Sequence, residues 1–191
     1  MKEKRFDTSQ KKMFKGIITL LNQKDFLDIS VKELCIVSDI NRSTFYSHYQ
    51  NTYELLEDLK EDMIATFLDS FIDEKENFNS GNYEENYIKK EFLIPFLNLV
   101  KENRIIYETF IKLHLTFSSD ELFNKLITYV SIPVSKKYHS NTKESSLIYI
   151  SKFIVQGTTA LINLWIKRGF KESPEEICSL ILKCINGFFN N

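Results

Sequence analysis

Arg42, Tyr46 and His48 fall within the run DINRSTFYSHYQN, residues 39 to 51, beside Asn41, Ser43, Thr44 and Ser47, with Thr52 following directly. A planar guanidinium, a phenol, an imidazole and several hydroxyl and amide groups suit phosphates and base edges. The run is too short and too polar to be core, so its surface is expected to touch something. Other chemistry finds little to stand on. His114 and His139 are isolated, with no serine or cysteine in a nucleophile context, which argues against an enzyme. Glu57, Asp58, Glu61 and Asp62 have the i,i+4 spacing of a metal site, but no histidine or cysteine joins them, and a solvated helix face is the simpler reading. No catalytic residue, metal or cofactor is expected.

The elements that must hold these groups are helical. Five glycines and three prolines punctuate 191 residues, while apolar residues recur at three- and four-residue spacing almost throughout, so the class is all-α. About nine helices are expected: 9–22, 31–37, 42–48, 52–75, 84–102, 103–117, 120–138, 143–168 and 174–189. Ser30 and Glu33 form a capping box for the second, with Ile29 and Leu34 at hydrophobic-staple positions. Asn41 is expected to cap the third, with Ile40 and Phe45 as its staple. Asp39, between them, can take the left-handed conformation that a three-residue turn needs, though less readily than glycine. On the third helix Phe45 and Tyr49 share one face by i,i+4 spacing, leaving Arg42, Ser43, Tyr46 and Ser47 to point elsewhere.

Charge divides the chain unevenly. Residues 1–51 carry nine Lys/Arg against six Asp/Glu, and the rest sixteen against twenty, so a head of +3 precedes a body of −4. This is a modest footprint for nucleic acid. The division expected is a small basic head at 1–51 and a larger acidic helical body at 52–191. No Gly/Pro/Ser linker separates them, and the fourth helix is expected to join them as a rigid element. Cys35, Cys178 and Cys184 lack paired spacing and read as small buried thiols in a reducing compartment. No apolar run approaches the roughly 18 residues of a membrane span. The polar start MKEKRFDTSQKK leads into an amphipathic helix rather than a signal-peptide core. A cytoplasmic protein with no membrane partner is expected.

The run ISVKELCIVSDINRSTFYSHYQNTYELL resembles, position by position, the helix-turn-helix of the TetR/AcrR family of transcriptional regulators. There an apolar second helix, an Ala-Gly-Val-Ser-like turn and a Thr-Phe-Tyr-x-His-Phe-like recognition helix follow in this order. The resemblance extends upstream to the helix holding Phe14, Ile17, Ile18 and Leu21. It implies a regulator, by default a repressor, that binds a palindromic double-stranded operator as a homodimer. Lys32, Asn41, Arg42, Ser43, Thr44, Tyr46, Ser47, His48 and Thr52 are the candidate DNA contacts. Ser38 and Asp39 stand where the family usually has Ala and Gly, and Thr52 where it often has a lysine, so one charged phosphate contact is missing there. A coactivator of the same fold, controlled by a protein partner, is the alternative.

Residues 153–185, FIVQGTTALINLWIKRGFKESPEEICSLILKCI, resemble the end of a branch of that family which includes regulators of dihydroxyacetone kinase genes. Local chemistry agrees: Gly169 can stop one helix, Ser173 caps the next, Pro174 sits at its first position, and Glu175 and Glu176 face its positive end. The resemblance implies a dimer built from these two helices, with Ile154, Gly157, Leu161, Trp165, Ile177, Leu180, Ile181, Cys184 and Phe188 at the interface. It also implies a ligand cavity. Phe96, Tyr107, Phe110, His114, Phe117 and Trp165 are its candidate lining, a wall suited to an apolar or aromatic small-molecule effector. Aromatics at helical spacing that merely fill a core are the competing reading.

Overall fold

The computed structural model describes residues 7–72, 90–115 and 143–187, and the chain divides into two compact units, Met1–Thr66 and Phe67–Asn191. Every regular element among the described residues is helical, with eight α-helices and one short 3-10 turn at Phe26–Asp28.

In the first unit, α1 (Thr8–Leu21) packs on α2 (Val31–Val37), α2 packs on α3 (Arg42–His48), and the opening turns of α4 (Thr52–Ile72) add Leu55, Leu56 and Leu59 to the core. Met13, Ile17, Leu34 and Phe45 are fully buried at its centre. Reciprocal caps start both α1 and α2. Asp7 accepts from the Gln10 amide at 2.9 Å while the Gln10 side chain accepts from the Asp7 amide at 3.2 Å. Ser30 and Glu33 exchange the same pair of bonds, and Ile29 and Leu34 are buried at the expected staple positions. Such a box satisfies two amide donors that a helix start otherwise leaves open.

The turn after α2 closes through two bonds, Ile40 N–H to Cys35 O at 3.0 Å and Asp39 N–H to Ile36 O at 3.2 Å, with Asp39 left-handed at φ 51°. This is a Schellman ending with aspartate where glycine is commonest. Asn41 sits at the N-cap of α3 but makes no capping bond with its side chain. The next helix start does carry such a bond: Asn51 accepts from the Glu54 amide at 3.1 Å and so caps α4. Helices α1 and α2 approach closely at Gly16, where a Cβ would stand 2.0 Å from Ser38 Oγ.

The second unit contains α5 (Lys90–Glu102), α6 (Arg104–Lys112), α7 (Glu144–Lys167) and α8 (Pro174–Gly187). Helix α8 packs on α5 and α7, and α6 packs on α7 and α5. Leu97, Val100, Tyr107, Phe110, Trp165 and Ile181 form the fully buried centre. The helix expected at 103–117 ends at Lys112, because His114 turns left-handed (φ 56°) and the Leu115 and His114 amides bond back to Phe110 and Ile111 carbonyls. Gly169 ends α7 in the same way at φ 73°. Ser173 and Glu176 then cap α8 reciprocally, at 3.2 and 2.7 Å. Trp165 closes the joint, its indole N–H donating to the Glu172 carbonyl at 2.9 Å. The expected helix 120–138 and the ends of several others lie outside the described residues. Among the described residues no helix is long and apolar enough to cross a membrane.

Candidate nucleic-acid interface

Helix α3 is anchored on one side and open on the other. Phe45 and Tyr49 are buried, with ring centroids 5.9 Å apart. Arg42, Ser43, Tyr46 and Ser47 are exposed, Tyr46 by 52 %. The Arg42 guanidinium lies 5.9 Å from the Tyr46 ring centroid, and that ring meets Phe45 edge-on at 5.4 Å. An arginine held over an aromatic face keeps its donor fork outward at lower entropic cost than a free side chain. The polar face therefore has a defined shape rather than a loose fringe. Beneath it lies Cys35, whose thiol burial pushes up and the nearby Arg42 charge pulls down.

The flanking candidates differ in how free they are. Lys32 on α2 and Asn41 are exposed, and Thr44 is half-buried. The Ser47 hydroxyl donates to the Thr44 carbonyl at 2.7 Å, which leaves its oxygen able to accept. His48 is half-buried, with Nε2 3.4 Å from Asp7 at the start of α1. Thr52 opens α4, where Glu54 already accepts from the Gln50 amide at 2.8 Å, so a phosphate there would meet a carboxylate. Lys12 is paired with Asp39 at 3.2 Å. The acidic residues of α4 are not one solvated face: Glu57 and Glu61 are exposed, but Asp58 and Asp62 are half-buried. Burial raises the Asp62 carboxyl, opposed by Lys11. Among the described residues no group of three histidines, cysteines or acids stands close enough to hold a metal.

In the second unit, Tyr107, Phe110 and Trp165 are buried together in the core and Phe96 is half-buried. Tyr107 and Phe110 meet edge-on at 6.0 Å. His114 stands apart, exposed at the end of α6, where its left-handed backbone ends the helix. Phe117 lies outside the described residues. Of the residues expected at a dimer interface, Ile154, Trp165, Ile177 and Ile181 are covered by the chain's own core, because they point between α7, α8 and their neighbours. Gly157, Leu180 and Cys184 are exposed and Leu161 is half-buried, while Phe188 lies outside the described residues. Leu164, one residue before Trp165, is exposed by 53 %. Sequence reasoning missed Gln10, Asp7 and Asp58 as supports of α3. The Asp-Thr-Ser-Gln start of α1 was a readable capping-box signal for the first two.

Comparison with known proteins gives one family match, one relative and two similar structures. The family model TetR_C_8, described as a transcriptional regulator C-terminal region, matches residues 89–187, just over half of the chain. The uncharacterized HTH-type transcriptional regulator YxbF of Bacillus subtilis is 19% identical over 181 residues; these are 94% of this chain and 45% of that protein, so the chain spans less than half the length of this relative. Among solved structures, the dihydroxyacetone kinase operon activator DhaS superposes with a TM-score of 0.69 at 22% identity, covering 94% of this chain and 95% of that one. FadR of Thermus thermophilus, a TetR-family repressor solved with lauroyl-CoA, superposes with a TM-score of 0.61 at 12% identity, covering 92% of each chain.

Proposed function

Because the chain belongs to the TetR family of transcriptional regulators, we propose that it acts by binding duplex DNA as a homodimer, α3 entering the major groove of each half of a palindromic operator and occupancy repressing the gene. The observation that carries this reading is the two-sided character of α3. Phe45 and Tyr49 fix the helix in the core, and Arg42 and Tyr46 present an ordered polar face outward. Arg42 is the candidate reader of a guanine edge, and Tyr46, Ser43, Ser47 and Lys32 supply phosphate and base contacts. Asn41, Thr44 and Thr52 flank that surface, and His48 supports the helix end.

Half-sites are then expected about 34–36 Å apart or slightly more, with affinity falling steeply as salt rises. The test is a duplex selected from a random pool by the full chain and titrated by fluorescence anisotropy. The Arg42→Ala, Tyr46→Ala double variant should lose tenfold or more, since a good base contact is worth about 1–3 kcal/mol, while its helical content and oligomeric state stay unchanged. Full-strength binding by that variant overturns the assignment.

Exposed Gly157, Leu164, Leu180 and Cys184, with Leu161, supply the proposed dimer face, and the aromatic group Phe96, Tyr107, Phe110 and Trp165 the proposed effector wall. An apolar effector must favour one head spacing over the other to act at all. Since the FadR neighbour holds lauroyl-CoA, acyl compounds belong among those screened. A second reading, a coactivator driven by a protein partner, has in its favour that the DhaS neighbour is named an operon activator. DNA binding by the purified chain alone decides between the two.

A further inference from the structure

We propose that Tyr49 is a positioning residue for α3, its hydroxyl tying the last turn of that helix to the N-terminal cap of α1 and to Asp58 on α4. The ring of Tyr49 is core, 3 % exposed and packed on Phe45, and a phenylalanine would fill the same space. The hydroxyl does something separate. It accepts from Gln10 Nε2 at 3.0 Å, and Gln10 is held at that moment by its reciprocal bonds with Asp7. Asp7 in turn faces His48 Nε2 at 3.4 Å, so two consecutive residues, His48 and Tyr49, are tethered to one cap. Asp58 takes the remaining capacity of the phenol as a hydrogen-bond partner; burial foremost, and then Asp58 and Asp7, hold the phenol well above its ordinary pKa, so it stays a neutral donor.

The geometry has a physical consequence. Helix α3 has only seven residues, too few to be stable alone, so its C-terminal turn keeps its pitch only through such outside contacts. A part-buried bond from Gln10 to the phenol, with Gln10 itself held by the exposed cap at Asp7, fixes orientation more sharply than apolar packing alone, because each bond tolerates little angular error. Its effect on DNA rests on the reading of α3 as the groove-entering helix; the tie itself does not.

Tyr49→Phe removes the hydroxyl. Gln10→Glu keeps the reciprocal cap with Asp7 but removes the N–H donor; its carboxylate can hold the phenol only by taking the single O–H from Asp58, so the double tie is broken without breaking the start of α1. The full chain and these variants are compared by hydrogen exchange at the amides of Phe45 and Tyr49, and by binding to the duplex selected by the parent chain and to sheared DNA of random sequence. Each variant should raise exchange in α3 about fivefold, the worth of one ordinary hydrogen bond, with α8 amides unchanged, and the double variant should add nothing further. Affinity for the selected duplex should fall by a similar factor while that for sheared DNA holds. Unchanged exchange in α3, or additive effects in the double variant, overturns the proposal. If Tyr49→Phe fails to fold, Gln10→Glu alone decides through the same amides. If the parent chain selects no duplex, the DNA reading falls and the exchange result still judges the tie.

Discussion

Ser38 shows how much one hydroxyl can decide. It is 5 % exposed, its oxygen has no hydrogen-bond partner, and it occupies the space above Gly16 that a Cβ would need. An unsatisfied buried hydroxyl costs about 1–3 kcal/mol, so Ser38→Ala should raise stability by roughly 1 kcal/mol in urea unfolding. Gly16→Ala alone should destabilise, and less so in the Ser38→Ala background; equal penalties in both backgrounds would deny the contact. Glu33 provides the pH counterpart. Its hydrogen bond with Lys24, then its bonds with the Ser30 amide and hydroxyl, hold its carboxyl at about 2 against an ordinary 4.5. The folded value is depressed, so this stabilisation is complete above 4.5 and is lost as pH falls from 4.5 towards 2. A Glu33→Gln variant should therefore show a flatter stability profile in that window, measured by thermal unfolding at stepped pH. The Ser30 and Glu33 pair was legible in sequence because its spacing is local. The Gly16 and Ser38 contact was not, because nothing in either neighbourhood announces that two helices cross there.

Helix boundaries divide along the same line. Starts and stops written by local chemistry, as at Ser30, Gly169 and Ser173, fall where the residue types place them. The start of α3 also falls as expected at Arg42, although Asn41 makes no side-chain bond there; at the start of α4 it is Asn51 that bonds. The end of α6 does not fall as expected. His114 is a less common left-handed residue than glycine, yet it terminates α6. The residue count of an element is thus set by the cheapest place to stop. His114→Gly should then stabilise the second unit by about 1 kcal/mol, the usual penalty for a side chain in the left-handed region, and a lower melting temperature in that variant would contradict it. At Asp39 the same substitution should gain less, since the Lys12 pair is lost with the side chain.

At the scale of the molecule, the two-helix face of α7 and α8 was legible as apolar, but which of its residues face outward was not. A stripe wider than one neighbour can cover has an inner and an outer edge, and a periodicity argument cannot rank them. Ile154, Trp165, Ile177 and Ile181 took the inner edge. Leu180 lies on the outer one, 49 % exposed, so Leu180→Glu should yield monomers by sedimentation while an Ile181→Glu variant misfolds; an unaltered dimer with Leu180→Glu would place the interface elsewhere. Trp165 carries a consequence of another kind. It is the single tryptophan of the chain, sealed at 1 % exposure and bonded to the carbonyl of Glu172 across the joint of α7 and α8, whereas the first unit has tyrosines and phenylalanines but no tryptophan. Excitation at the red edge of the absorption band therefore lights one place, and its emission, blue while the indole is dry and red once water reaches it, is an optical gauge of that joint built in without any label.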